Sequence, residues 1–507
     1  MRTKKTFINM CAKFINQIVV ILLGLISRRV MIDSVGVQYL GINGVLENVF
    51  TIISLAESGI GVAMVYSLYK PLAEKDEHVI KGLMQFYKKS YHILAAFTLC
   101  AGLAMIPFLD IFLKGNTVNN TMIIYFLFLF QAVTSYLFTY KVSLNNADQN
   151  QYIVTIINTI SQTIVLILKI AILYFWKNYI VFLSIDVLFN LIRNLTISHI
   201  VDKMYPFLKD KEKVKLDKEV KEPLYKNIRA LFTGKLGYIV SVASDNLVIS
   251  SKLSVISVGL YSNYTTILVS VSNFVKIFIS SSSASVGNAV ASETKENIYK
   301  IFKKMLFINF WIYTVCAVGM YCLLTPFIEN IWLGKEFGLG VLTTFLIIFN
   351  FFLDGIMAPI DSVKSSAGIY WNDRYIPIIA AILNLILSIL FVQKYQIAGV
   401  LIGTIVSKVL LSFWIQPFFV YKLLFKRNLI EYFVMIIKYM VSFLGIATVC
   451  SKILKYLNLE INFGVLIIEG ILILVVSNAI LCVLYFRTEE FQYIIQLFKS
   501  KFLNNQK

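Results

Sequence analysis

Long apolar runs alternate with short polar connections from one end of the chain to the other. Most runs reach the roughly 18–20 residues needed to cross a hydrocarbon core of about 30 Å as a helix. The pattern predicts helices at 7–28, 40–69, 90–113, 118–141, 152–176, 179–203, 231–253, 257–288, 302–329, 339–363, 374–393, 396–421, 434–454 and 461–486. The fold class is therefore all-α, a polytopic membrane protein with about fourteen transmembrane helices. An even count puts both termini on one side. With the termini in the cytoplasm, inner loops and tails hold about 34 Lys and Arg and outer loops about 9, the asymmetry of the positive-inside rule.

Composition agrees with that pattern. Of 507 residues, 58% are hydrophobic and 15% charged, too few charges for a soluble chain of this length. The balance of 47 Lys and Arg against 28 Asp and Glu gives +19, and its placement in connections points to membrane headgroups rather than nucleic acid. Cys11, Cys100, Cys316, Cys322, Cys450 and Cys482 sit in apolar runs without metal-ligand spacing, and His78, His92 and His199 are scattered. No metal site, cofactor or catalytic group is expected. Arg2, Lys4 and Lys5 precede the first apolar run, which reads as a retained span because no small-residue cleavage site follows.

The longest polar stretch, around KDKEKVKLDKEVKE, splits the chain into halves. It reads either as a linker between moving lobes or as a solvated surface helix. Pro107–Gly115 (PFLDIFLKG) resembles Pro326–Gly334 (PFIENIWLG), Lys88-Lys89 is matched by Lys303-Lys304, and Tyr152-Ile153 by Tyr375-Ile376. The copies recur at about 220 residues and favour a duplicated six-helix unit of parallel topology. The organisation expected is an N-terminal lobe at 1–204, a cytoplasmic linker at 205–230, a second lobe at 231–425, and two further helices with a tail at 426–507.

The segment Gly36–Asp76, GVQYLGINGVLENVFTIISLAESGIGVAMVYSLYKPLAEKD, resembles the first-to-second-helix region of Wzx-type polysaccharide and oligosaccharide flippases. These belong to the multidrug/oligosaccharidyl-lipid/polysaccharide exporter superfamily. Asp245-Asn246 followed by VGLYSNY at Val258–Tyr264 is similar to that family's seventh-to-eighth-helix region. The resemblance implies a multi-pass protein of the bacterial cytoplasmic membrane that moves polyprenyl-pyrophosphate-linked oligosaccharide from the inner to the outer leaflet. Its partners would be that substrate and membrane lipids, with a polysaccharide polymerase and glycosyltransferases as further candidates.

Such a substrate carries phosphates and hydroxyls that hydrocarbon excludes, so ionisable residues inside spans are the first candidates for contact. Arg28 and Arg29 end the first span and suit phosphate oxygens; snorkelling, or an Arg29–Asp33 pair four residues apart, is the plainer reading. Lys276 and Lys408 fall near mid-span, where a lipid-facing cation costs about 3 kcal/mol. They read as cavity cations, or as structural partners of a carboxylate such as Asp245 or Asp354. Arg193 and Lys169 carry the same two readings, with Lys169 nearer the outer face. Tyr261, Asn263 and Tyr264, with the serine run Ser280 to Ser283, make one helix polar enough for glycan contact or for a tight seam. Asp245 and Glu57 could bind a coupling proton or sodium, or merely balance a base.

Other classes are weaker. No phosphate-binding G-x-x-x-x-G-K-[ST] loop occurs, which removes an ATP pump. Short outer loops leave little room for a membrane-embedded polymerase. A peptidoglycan-precursor (lipid II) flippase is the serious alternative; next comes a multidrug or cation antiporter, which would favour an acidic cavity.

Overall fold

The computed structural model describes residues 2–57, 60–114, 118–148, 150–210, 212, 214, 216, 222, 224–225, 228, 243–367, 369, 372–373 and 375–504. Among these every regular element is a helix. The apolar runs become α1 (Arg2–Val35), α2 (Val37–Ile53), α3 (Ile60–Glu74), α4 (Glu77–Met105), α5 (Thr121–Ala147), α6 (Gln151–Trp176) and α7 (Tyr179–Met204). After helical residues 243–252 (α8) come α9 (Val255–Ser292), α10 (Lys295–Pro326), α11 (Val341–Ser366), α12 (Ile376–Ser407) and α13 (Phe413–Phe419). Then follow α14 (Ile430–Leu457), α15 (Phe463–Tyr485) and α16 (Glu489–Asn504). Ten stretches of the described residues are long and apolar enough to cross a membrane.

Local chemistry sets the helix ends. Asp76, Asn178, Thr294 and Asn462 cap α4, α7, α10 and α15 by accepting from first-turn backbone N–H groups, replacing partners that a helix start lacks. Lys177 and Asn458, both left-handed, close α6 and α14.

One expected span is broken, and the break expected between 393 and 396 is found. The run 40–69 is not one helix: α2 ends at Ile53, a 3-10 turn covers Ser54–Glu57, and α3 begins at Ile60. The sequence there, SLAESG, is rich in Ser and Gly, which weaken a continuous helix. The stretch Ile376–Phe425 folds back at Gln396, whose φ of 52° and ψ of −131° interrupt α12. Beyond the break, Gly399 and Gly403 lie against the backbone of Phe391 and Ser388, and Ser388 Oγ donates to Val400 O at 3.3 Å. Two glycines four residues apart let the arms touch, as small residues do at membrane helix seams.

The chain divides into two compact units, Met1–Ser262 with Pro377–Leu385, and Asn263–Ile376 with Ile386–Lys507. In the first, α1 packs on α6, while α5 packs on α4, α3 and α7. At the start of α9, a Cβ on Gly259 would stand 2.7 Å from Val37 O, and Gly41 meets Val255 as closely, so α2 and α9 cross with nothing between their backbones. In the second unit α10 is central, touching α11, α14, α15 and α16.

The polar connection after α7 is held to the first unit. Lys81 Nζ binds Asp210 at 2.6 Å and Glu212 at 3.2 Å, and Gln85 donates to Glu212 O while accepting from Val214 N at 3.0 Å. Val214 and Leu216 lie over Gly82, where a Cβ would stand under 3 Å from both. Asp210, Glu212, Val214 and Leu216 lie as a strap along α4, the two acids meeting Lys81 and the two apolar groups the Gly82 notch, while 222, 224–225 and 228 farther along are helical. The predicted span 231–253 lies outside the described residues except at 243–253.

Candidate functional site

The first unit carries an open cavity of about 830 Å³ with a lining that is half polar in character. Asn43, Glu47 and Thr51 reach it from α2, Ser54 and Glu57 from the turn that interrupts the helix, Gln131 and Ser135 from α5, Lys169 from α6, and Asp186, Asn190 and Arg193 from α7. Their spacing explains the convergence. Asn43, Glu47 and Thr51 recur every four residues, as do Gln131 and Ser135, so each set shares one helix face. Asp186 and Arg193 are two turns apart on a single face.

The polar groups hold one another. Lys169 Nζ lies 2.5 Å from Asp186 Oδ2 and 3.9 Å from the centre of the Phe182 ring. The Arg193 guanidinium donates to Asn190 Oδ1 at 2.5 Å, and Asn194 donates to the same oxygen at 3.2 Å. Tyr179 OH donates to Asn43 Oδ1 at 2.7 Å, and Tyr91 OH donates to Glu57 Oε1 at 3.4 Å. Thr51 Oγ1 donates to the Glu47 backbone carbonyl, and Asn43 donates to the Glu47 carboxylate at 3.5 Å.

The lining is mixed rather than cationic: Glu47, Glu57 and Asp186 stand against Lys169 and Arg193. Acids and bases stand there among amide and hydroxyl groups. Such a surface can hydrogen-bond a polyhydroxylated headgroup from many directions, and Arg193 offers a planar donor fork to phosphate or carboxylate oxygens.

Of the residues singled out in the sequence, Arg193, Lys169 and Glu57 line this cavity. Arg28 is half-buried and donates to Ser262 Oγ, within electrostatic reach of Glu47. Arg29 is exposed and pairs with Asp33 at 2.7 Å. Asp245 is buried and accepts from Asn384 at 3.1 Å; Tyr261 is half-buried in the same unit. In the second unit Lys408 meets Asp354 at 2.5 Å and Asn350 at 2.8 Å, at the first residue of a π-helical turn, Lys408–Ser412. Lys276 is exposed on α9 and Asn263 fully buried. Tyr264 is a structural group, its hydroxyl bonded to Thr325 at 3.3 Å and the Leu339 N–H at 3.0 Å. The side chains of Ser280 to Ser283 lie outside the described residues.

Glu47, Asn43, Gln131 and Asn190 were not singled out. The available signal was a polar residue recurring every four positions within an apolar run, which marks a cavity face more reliably than a lone charge.

No family model matches the sequence, and neither does any curated protein. Solved structures do resemble the fold. The lipid II flippase MurJ in an inward closed conformation superposes with a TM-score of 0.66 at 16% identity, over 95% of this chain and 100% of that one. A multidrug resistance MATE family transporter of the MOP superfamily, inward-facing, gives 0.58 at 13% identity over 79% and 95%. The Vibrio cholerae MATE transporter VcmN in the bent form gives 0.55 at 14% identity over 83% and 97%. The chain is thus an all-α, multi-pass membrane protein. Its fold is that shared by MurJ and the MATE transporters.

Proposed function

We propose that this protein is a flippase of the bacterial cytoplasmic membrane. It carries polyprenyl-pyrophosphate-linked oligosaccharide from the inner to the outer leaflet by alternating access, for export of a surface polysaccharide. The observation that carries the reading is the cavity of about 830 Å³ inside an apolar helix bundle, furnished with amides, hydroxyls and both signs of charge. A hydrated headgroup gains there the partners that hydrocarbon denies it, while the prenyl tail stays in lipid. The resemblance of Gly36–Asp76 to Wzx-type flippases points to the same substrate class.

In this reading Arg193 contacts pyrophosphate, Asn43, Gln131, Ser135 and Asn190 contact sugar, and Arg28 and Lys276 attract the anion on its way. Lys408 takes part only by leaving Asp354, and Arg29 only by leaving Asp33. Tyr261 and Asn263 extend the polar path; Glu57 and Asp245 are the candidates for an exchanged proton or sodium. Both termini lie in the cytoplasm.

A lipid II flippase is the second reading, supported by the nearly full mutual coverage with MurJ. The three cavity carboxylates favour a third, export of organic cations. Leaflet-resolved measurement of lipid-linked oligosaccharide separates them. Depletion should trap surface-polysaccharide precursor in the inner leaflet while cells stay intact. Lysis with trapped peptidoglycan precursor supports the second reading, and an unchanged leaflet distribution with lost dye efflux supports the third.

A further inference from the structure

A second pocket, of about 330 Å³, lies far along the sequence from the cavity, where the start of α10 meets α16. Lys300, Lys303 and Lys304 line it from α10; Glu489, Glu490 and Tyr493 are among those that line it from α16. Spacings of three and four residues place the lysines on one helix face in a single turn. The apolar part of α10 begins just beyond them at Met305, and α16 begins directly after the apolar α15 ends at Tyr485. Two span ends therefore meet at this pocket, which puts it at headgroup depth.

The charges sort themselves. Lys303 is taken up by Glu490 at 2.8 Å, a bridge whose carboxylate is only 12% exposed. Lys304 stands 3.7 Å from the centre of the Tyr493 ring, and the Trp311 ring stacks on Phe491 at 5.5 Å. These contacts dock α16 on α10 and leave Lys300 exposed, with no carboxylate paired to it among the described residues. Glu489, also exposed, sits at the mouth as the opposing charge. The pocket thus keeps two ammonium groups, Lys300 and Lys304, without an ion pair among the described residues, Glu296 acting on Lys300 only at longer range.

We propose that this pocket binds the phosphate headgroup of an anionic membrane lipid, fixing α16 to the membrane surface. A lipid rather than free phosphate is the occupant because the lysines stand at the edge of the apolar span, where acyl chains continue alongside α10. A lysine near an anionic surface contributes measurably to attraction, and an adjacent carboxylate subtracts from it.

The test is thermal unfolding of the purified full-length chain in detergent, titrated with dioleoyl phosphatidylglycerol, dioleoyl phosphatidylcholine or inorganic phosphate. Phosphatidylglycerol should raise the unfolding midpoint saturably, and the other two should not. K300Q/K304Q should raise the half-saturating phosphatidylglycerol concentration by roughly tenfold. E489Q should lower it by roughly twofold; because it leaves the Lys303–Glu490 bridge untouched, it decides the matter even if the lysine variant fails to fold. An equal response to phosphatidylcholine, the same shift with phosphate, or half-saturation unmoved by E489Q would overturn the proposal. No transport is measured, so the outcome is independent of what the protein carries.

Discussion

Lys169 and Asp186 belong to neighbouring helices, and their 2.5 Å contact lines the cavity rather than filling a closed core. With one face open to water, the pair is worth less than a fully enclosed bridge, yet removing one partner leaves the other charge poorly solvated. Lys169→Met should therefore lower stability by about 1–3 kcal/mol, and adding Asp186→Asn should restore most of it. Chemical denaturation of the two variants checks this; equal stability in the single and double variants would show that the charges do not depend on each other. Such pairing was only partly visible in the sequence. Arg29 and Asp33 are four residues apart on one helix, so their bridge could be read directly. Lys408 had a carboxylate such as Asp245 or Asp354 as one of two readings, and it meets Asp354. Lys169 had the same two readings, cavity cation or partner of a carboxylate, and it meets Asp186 at the cavity wall; which carboxylate it meets is set by how α6 and α7 pack, which no local spacing encodes.

At the level of elements, the apolar runs gave the helices and one of two interruptions. The break between 374–393 and 396–421 was expected and falls at Gln396, whereas the turn after Ile53 was not, because hydropathy reports what is buried in lipid and a break inside an apolar run depends on a few backbone angles. Gln396 has a φ of 52° with ψ of −131°, a conformation that glycine adopts freely and glutamine only under strain. Gln396→Gly should therefore raise the unfolding free energy by about 1 kcal/mol, the relieved strain exceeding the added freedom of the unfolded chain. A fall in the midpoint of thermal unfolding would refute that account of the fold-back. The strap along α4 makes a separate claim. Lys81→Gln removes the ammonium that binds Asp210 and Glu212, so trypsin should cut the 205–230 connection several-fold faster than in the parent chain. An unaltered cleavage rate would mean that Val214 and Leu216 hold it unaided. Sequence alone could identify this segment as polar and non-spanning, but its two acids followed by two apolar groups at every second position gain meaning only once Lys81, Gly82 and Gln85 stand opposite.

For the whole molecule, the all-helical architecture was legible because spans of about 20 apolar residues admit few other solutions in a bilayer. The cavity was legible as a need rather than as a place. The proposed activity requires a hydrated chamber, and the cavity within the first unit is lined by three carboxylates and two cations. Its central claim is that water and a polar headgroup enter. Accessibility of introduced thiols tests this most directly: Thr51→Cys, Ser135→Cys and Leu188→Cys, each in a chain whose six native cysteines are replaced, exposed to a hydrophilic maleimide in membranes. Thr51 and Ser135 line the cavity, whereas Leu188 is 54% exposed on α7 and is not among the lining residues. The account predicts rapid labelling at the first two positions, slowed by added lipid-linked oligosaccharide, and little at the third. Unreactive thiols at Thr51 and Ser135, or labelling indifferent to the substrate, would contradict it.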